Sequence, residues 1–377
     1  MKVMVVFGTR PELIKLAPVI LEARRRSEII NLIICSTGQH KEMLNQAKSF
    51  FDIVPDEDLA LMKDNQTLAD LTCRLMTGMD EVIRNHKPDV VIVQGDTTTA
   101  FVSALASFYH RIPVAHVEAG LRTGDLNSPF PEEGNRTLIA QLARWHFAPT
   151  AEAASQLFAE GVKKQNVHIT GNTVVDAIEI IKRKWTKNPY VGAVAKLFPG
   201  QQLVFITTHR RENFGEGIRN ICQAVRQLSR MYPQYGFVFP VHLNPNVSNV
   251  VYQQLADIKN LHLMPPIDFE ASLYLQSKAC LILTDSGGIQ EESTSFGVPC
   301  IVLRQHTERK EGILAGFALL AGTNYAKIVQ IAVDFLSVNM IQILKNKANP
   351  YGDGQSSIRI LDQLLLDSGF TTQQQNG

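Results

Sequence analysis

The sequence predicts an α/β protein made of two Rossmann-like, doubly wound domains with a cleft between them. Three observations carry that expectation. Short β-branched runs alternate with helical patterns along almost all of the 377 residues, the signature of βαβ units and of parallel sheets covered on both faces. The alternation lapses around Trp185 to Gln202, where Lys187-Asn188-Pro189 and Phe198-Pro199-Gly200 interrupt it, as a linker would. At about 150 residues per domain the length suits two. The expected domains are therefore 1–185, completed by a C-terminal helix over 355–370, and 186–354.

In the first half, strands are expected at Val3 to Phe7, Leu32 to Cys35, Asp89 to Gln94, Pro113 to Val117, His146 to Ala148 and Val167 to Thr170. Thr67 to Asn85 reads as a helix, because Leu68, Leu71, Leu75, Met79 and Val82 recur at steps of three and four and so share one face. In the second half, strands are expected at Leu203 to Thr207, Gly236 to Pro240, Leu261 to Leu263, Cys280 to Leu283 and Pro299 to Leu303, with helices near Arg219 to Met231 and Tyr325 to Val338. The turn-rich segment Asn349-Pro350-Tyr351-Gly352-Asp353-Gly354 would return the chain to the first domain for a last helix, Ser357 to Leu366. Ligands of such folds bind outside the carboxyl ends of the strands, so the chemistry is expected at those ends.

Composition narrows the classes. With 37 Lys+Arg against 36 Asp+Glu, the formal charge is +1, so no global field recruits nucleic acid or an anionic membrane, and an anionic ligand needs a local cluster. The five cysteines (Cys35, Cys73, Cys222, Cys280, Cys300) are scattered and fit neither a disulfide framework nor a zinc site, which leaves reduced, buried thiols. The histidines show no zinc spacing, so no metal is expected. No apolar run approaches the ~18 residues of a membrane span, and the start of the chain lacks the features of a signal peptide. A cytoplasmic protein is expected.

Gly8-Thr9-Arg10-Pro11-Glu12 stands at the end of the first strand, where a dinucleotide fold would carry G-x-G-x-x-G. Pro11 suits the first helical position, and Arg10 and Lys15 lie near a helix start that already favours anions, so together they read as a phosphate or carboxylate clamp. Gln94-Gly95-Asp96-Thr97-Thr98-Thr99 ends another strand in an acid; Asp96 either caps the next helix or works in the cleft. His116-Val117-Glu118 ends the next strand in Glu118. Two carboxylates at adjacent strand ends can act as acid and base, or be structural with Arg122 as counter-ion. Glu132, after the Pro-rich Ser128 to Pro131, opens a further helix.

In the second half, Thr208-His209-Arg210-Arg211-Glu212-Asn213 follows that domain's first strand. An imidazole beside two guanidiniums fits an anion such as a diphosphate, and His209 would hold or protonate a departing phosphate oxygen. The strongest local signal is Thr284-Asp285-Ser286-Gly287-Gly288-Ile289-Gln290-Glu291-Glu292, a buried strand, a Ser-Gly-Gly turn and a helix. Small residues there admit a phosphate to backbone N–H groups, and Glu292 is placed to bind ribose hydroxyls; the alternative is a plain strand-to-helix turn.

Taken in order, these segments resemble the non-hydrolysing UDP-N-acetylglucosamine 2-epimerases of bacteria. The resemblance runs through Phe7 to Glu12, Gln94 to Thr99, His116 to Asp125, Pro131 to Glu133, Thr208 to Asn213, Pro240 to Pro245, Asp285 to Glu292 and Thr307 to Arg309. It implies a two-domain, GT-B-like fold and the interconversion of UDP-GlcNAc and UDP-ManNAc for surface polysaccharide synthesis by a homodimer that needs no cofactor. It also implies a catalytic set of Asp96, Glu118, Glu132 and His209, with Arg10 and Lys15 on the sugar side and Ser286, Gly287, Gly288, Glu292 and Arg309 holding UDP. A second, activating UDP-GlcNAc would lie near Gln39, His40, Glu132, Arg210 and His242.

The chemistry agrees from its own side. The sugar's C2–H is not adjacent to a carbonyl, so inversion there needs oxidation at a neighbouring carbon or elimination of the anomeric leaving group. With no dinucleotide fingerprint, elimination to 2-acetamidoglucal is the expected route. Rival readings are a hydrolysing epimerase, a GT-B glycosyltransferase and a non-catalytic nucleotide-sugar sensor.

Overall fold

Alternation of buried strands and amphipathic helices produces two separate parallel sheets in the computed structural model, which describes residues 1–38, 41–61, 63, 66–185, 191–192, 196 and 199–369. One unit comprises Met1–Ala177 and the chain from Gly352 onward, the other Ile178–Tyr351. Both are Rossmann-like and doubly wound, the expected class.

The first unit runs β1 (Lys2–Phe7), α1 (Arg10–Arg25), β2 (Asn31–Ser36), α2 (Lys41–Phe50), β3 (Glu57–Asp58), α3 (Leu68–His86), β4 (Val90–Gln94) and α4 (Thr98–Tyr109). It continues through β5 (Val114–Val117), α5 (Glu132–Leu142), β6 (Trp145–Ala148), α6 (Ala151–Ala159), β7 (Val167–Ile169) and α7 (Thr173–Lys182), within which the division between units falls. The seven strands lie in the order β3-β2-β1-β4-β5-β6-β7. Val3 to Phe7 are all fully buried, which is why this strand reads as an unbroken apolar run: helices cover both faces of a parallel sheet. Met4, Val6, Val91 and Val93 pack under Met79, Val82 and Ile83 of α3 and Ala100 and Ala104 of α4.

The second unit contains β8 (Leu203–Thr207), α8 (Glu216–Met231), β9 (Gly236–Pro240), α9 (Pro245–Leu255), β10 (Leu261–Met264), α10 (Phe269–Lys278) and β11 (Ala279–Thr284). After these come α11 (Gly287–Glu292), β12 (Cys300–Val302), α12 (Lys310–Leu314), β13 (Ala318–Leu320), α13 (Tyr325–Ser337) and α14 (Met340–Leu344). Its six strands lie in the order β10-β9-β8-β11-β12-β13. Ile206 and Leu283 face Ile221, Val225 and Leu228 of α8, whereas their strand neighbours Phe205 and Ile282 face Ala271 and Leu275 of α10, as a period of two requires.

The chain divides earlier than the Pro- and Gly-containing stretch. Trp185 stacks on Phe296 at 6.0 Å and meets Tyr274 edge-on at 5.7 Å, so an aromatic contact holds the second half of α7 in the second unit. Residues 186–190 lie outside the described residues. The last helix, α15 (Ser356–Asp367), belongs to the first unit. Its first turn has no local side-chain cap; instead Asp176 accepts from the Ser357 N–H at 2.8 Å and the Ser356 N–H at 3.2 Å, so a carboxylate distant in sequence satisfies the free N–H groups of the helix start. Arg26 pairs with Asp362 at 2.5 Å and Trp145 donates to Asp367 at 2.7 Å.

Cys35, Cys222 and Cys300 are buried, and burial pushes the thiols of Cys35 and Cys222 up to about 12. Cys73 corrects the expectation of buried thiols: it is exposed, because it falls off the Leu71–Leu75–Met79 stripe of α3. Among the described residues no helix is long and apolar enough to cross a membrane.

Candidate active site

Each sheet has one topological switch point, between β1 and β4 in the first unit and between β8 and β11 in the second. There the chains leaving two adjacent strands turn to opposite faces, which opens a crevice at their carboxyl ends. Arg10 and Asp96 follow the strands of the first switch point, His209 and Ser286 those of the second, and Glu118 follows the neighbouring β5.

In the first unit, Thr9 caps α1 in a capping box with Glu12. Pro11 occupies the second helical position, and the half-buried Arg10 takes the first. Glu12 is buried and accepts from the N–H groups of Gly8 and Thr9 at 3.1 and 2.8 Å and from the Thr97 hydroxyl at 2.7 Å. Burial raises its carboxyl above the usual range against those hydrogen bonds. Gly8 is required here: a Cβ would stand 2.3 Å from the Thr99 hydroxyl and 2.4 Å from that of Thr37.

Asp96 is not the cap of α4; Thr97 is, accepting from the Ala100 N–H at 3.0 Å. That leaves the Asp96 carboxylate to meet the buried guanidinium of Arg136, while Asn135 donates to the Asp96 carbonyl at 2.8 Å. Glu118 follows β5 in left-handed backbone, φ +63°, a conformation that costs a non-glycine residue roughly 1–2 kcal/mol. Its carboxylate accepts from Lys15, from Gln94 and, at 3.2 Å, from Asn172. Lys15 is engaged by Glu118, and Arg122, considered as the counter-ion of the acids, instead forks onto Glu160 at 2.6 and 2.7 Å. Arg136 has the shorter reach to the strand ends because α5 starts there.

Glu132 is the first residue of α5, and its Oε2 is buried with no hydrogen-bond partner. The neighbouring Glu133 accepts through Oε1 from the N–H groups of Thr123 and Gly124 at 3.0 Å each, and its Oε2 lies 3.3 Å from Nη1 of Arg136. His116 lies beneath this region, donating from Nε2 to the Gly95 carbonyl at 2.7 Å. Burial holds it down at about 3, so it is a neutral strut rather than an acid–base group.

In the second unit, Asp285 is fully buried at the end of β11 and organises the loop after β8. Its Oδ2 accepts from the Thr208 hydroxyl (2.7 Å), the His209 and Arg210 N–H groups (3.0 and 2.9 Å) and the Asn213 amide (2.9 Å). Its Oδ1 lies 3.2 Å from His209 Nδ1. Burial works to raise this carboxyl, but the His209 side chain and the donors of Arg210 and Thr208 outweigh it and hold it below the usual range. The His209 ring is partly exposed and stacks on His242 with centroids 6.1 Å apart. Arg210 keeps a buried Nε without a hydrogen-bond partner.

Ser286 stands at the start of α11 and makes no side-chain cap bond. Glu292 accepts from Gln276 at 2.7 Å. Arg309 donates to the buried Glu291 at 2.9 Å and pairs with Glu308. Burial opposes ionisation of Glu308, but Arg309, Arg304 and Arg210 bring its carboxyl down to about 2. The Arg309 guanidinium lies against Gly287, where a Cβ would come within 3.1 Å of Cζ. Gln39 and His40 lie outside the described residues.

Structure thus brings Lys15, Asp96, Glu118 and Glu132 to one strand-end region of the first unit, and His209, Arg210 and His242 to one loop region of the second. Sequence reasoning did not select Arg136, Asn172 or Glu291 and treated Asp285 only as part of a turn. For Arg136 a signal existed: it lies four residues after Glu132 and three after Glu133, on one helical face with them.

A family model described as UDP-N-acetylglucosamine 2-epimerase matches residues 22–365. The UDP-N-acetylglucosamine 2-epimerase of Salmonella typhimurium is 46% identical over 370 residues, covering 97% of this chain and 98% of that protein. Among solved structures, UDP-GlcNAc 2-epimerase from Neisseria meningitidis bound to UDP-GlcNAc superposes with a TM-score of 0.89 at 44% identity, covering 97% of this chain and all of that one. The Methanocaldococcus jannaschii enzyme in complex with UDP-GlcNAc and UDP gives 0.80 at 33% identity, with 97% and 100% covered.

Proposed function

We propose, since the chain belongs to the UDP-N-acetylglucosamine 2-epimerase family, that it interconverts UDP-GlcNAc and UDP-ManNAc without hydrolysis. It is an isomerase. Inversion proceeds by elimination and re-addition of UDP. A carboxylate from Asp96, Glu118 or Glu132 takes the C2 proton, the C2–H electron pair becomes the C1=C2 bond of 2-acetamidoglucal, and the C1–O pair departs with UDP. Protonation of C2 from the other face and return of the UDP oxygen to C1 give the epimer.

The observation that carries this reading is the first-unit acid cluster. Asp96 and Glu118 are each fixed by a cation, Arg136 and Lys15, while Glu132 holds a buried carboxylate oxygen with no partner among the described residues. Preorganised groups of this kind need no rearrangement at the moment of proton transfer. On the leaving-group side, His209 and Arg210 meet developing phosphate charge, with Ser286, Gly287, Gly288, Glu292 and Arg309 holding UDP and Arg10 the sugar side. A second UDP-GlcNAc near Arg210 and His242 would serve as activator. Exposed Phe108 and Tyr109 at the end of α4, with exposed Leu138 on the adjacent α5, support a homodimer. The cytoplasm and surface polysaccharide synthesis are the setting the resemblance supplies.

The test is incubation of the purified protein with UDP-GlcNAc in deuterium oxide, followed by proton NMR with no cofactor added. UDP-ManNAc carrying deuterium at C2 is the expected product. Free ManNAc plus UDP would assign the protein to the hydrolysing reaction, and an unchanged sugar would refute the proposal in favour of a transferase or sensor.

A further inference from the structure

We propose that Asp285 is the positioning residue of His209: it holds the neutral imidazole as the Nδ1–H tautomer and backs the imidazolium when it forms. The proposal rests on the reading of His209 as the group that meets the departing UDP. The geometry divides Asp285 between two tasks. Oδ2 serves the backbone, accepting from Thr208, the His209 and Arg210 N–H groups and Asn213 at 2.7 to 3.0 Å. Oδ1 faces His209 itself, 3.2 Å from Nδ1 and 3.2 Å from its N–H.

A carboxylate only accepts, so Nδ1 must carry a hydrogen for this contact to be a bond. Nε2 is then the ring nitrogen left for substrate. In its neutral form it accepts a proton; in the imidazolium it donates one to a phosphate oxygen while Asp285, fully buried, balances the charge. The carboxylate–imidazole pair of the serine proteases divides labour in the same way. His242 stacks on the His209 ring and its own Nδ1 is not a competing acceptor, because it accepts from the Asn244 N–H at 3.1 Å.

Asp285→Asn separates the two tasks. Oδ2 has four donors, so the amide oxygen of Asn is held in its place and the NH2 group is turned toward His209. That group donates to Nδ1, which must then be bare, and the neutral ring switches to the Nε2–H tautomer with the loop still anchored.

The experiment records ring nitrogen–proton correlations of the full-length protein labelled with [15N]histidine, with the His209 signals assigned by their loss in His209→Asn, and measures kcat and KM for UDP-GlcNAc in the single and double variants. Wild type is expected to show the Nδ1–H tautomer and Asp285→Asn the Nε2–H tautomer. Its kcat should fall by about 10²-fold or more with little change in KM. The double variant should be no slower than His209→Asn by more than about twofold. An Nε2–H tautomer in wild type, a readout that does not depend on Asp285→Asn folding, overturns the proposal; so do losses that multiply in the double variant, as a purely structural Asp285 requires. Near-normal turnover of His209→Asn would instead sink the underlying assignment of His209, and with it this one.

Discussion

The hydroxyl of Thr97 donates to the Glu12 carboxylate at 2.7 Å, tying the first turn of α1 to the loop that carries Asp96. Thr97 also caps α4 by accepting from Ala100, so one hydroxyl is both donor and acceptor across the switch point of the first sheet. The acid next to it, Asp96, is held in turn by Arg136 and Asn135.

Thr97→Val keeps the shape and removes both bonds. Losing a hydrogen bond to a buried carboxyl and a helix cap together should lower the stability of the first domain by about 2 kcal/mol and reduce turnover through the displaced Asp96. Thr97→Ser, which retains the hydroxyl, should recover most of both. Urea unfolding midpoints and kcat for the two variants check this; equal midpoints would refute it.

Glu118 reverses the usual ranking of glycine and alanine. At φ +63° an added Cβ is strained, whereas glycine is not. Both Glu118→Ala and Glu118→Gly remove the acid and should be inactive, yet Glu118→Gly should be the more stable by about 1 kcal/mol. Thermal denaturation of the pair decides, and an alanine variant that melts higher would contradict a strained active-site backbone.

Gly287→Ala places a methyl group 3.1 Å from Cζ and 3.3 Å from Nε of Arg309. The obstacle is the far end of a flexible side chain, so the fold should survive while the guanidinium shifts by a few tenths of an ångström and keeps its pairing with the buried Glu291. KM for UDP-GlcNAc is expected to rise about tenfold, equivalent to ~1.4 kcal/mol, with an unchanged melting temperature. A KM equal to wild type would show that Arg309 does not hold UDP.

Acid should destabilise the first domain through two buried histidines. Burial holds His116 at about 3 and His146 at about 4, against 6.5 for the free side chain. Between those values and 6.5 the unfolded chain binds more protons than the folded one, so stability falls as pH falls from 6.5 toward 4, by ~1.4 kcal/mol per pH unit for each histidine. His116→Gln should remove one proton from that slope. Denaturant midpoints collected across the range measure it, and a slope unaffected by the substitution would mean that His116 is protonated in the folded state.

Much of the architecture was legible because it depends on short-range pattern. Fully buried strands such as Val3 to Phe7 announce themselves as apolar runs, and α3 shows its stripe at Leu71, Leu75 and Met79. The candidate site stood out in the sequence for a related reason: acids, hydroxyls and glycines punctuate the ends of those strands, and a parallel sheet collects its strand ends on one side. Pairings were not legible. Arg122 sits closer in sequence to Glu118 than Lys15 does, yet Lys15, 103 residues away, makes the contact.

By itself, then, the sequence determined the two-sheet α/β class, the segments that gather at the switch points and the residue types available there. It also determined the family, since the ordered motifs extend over nearly the whole chain. Only the tertiary structure decided that Arg136 holds Asp96, that Asp176 caps a helix 180 residues away and that one oxygen of Asp285 faces His209. Which cation meets which acid depends on strand order and side-chain reach in three dimensions, and neither is encoded in the local spacing of residues along the chain.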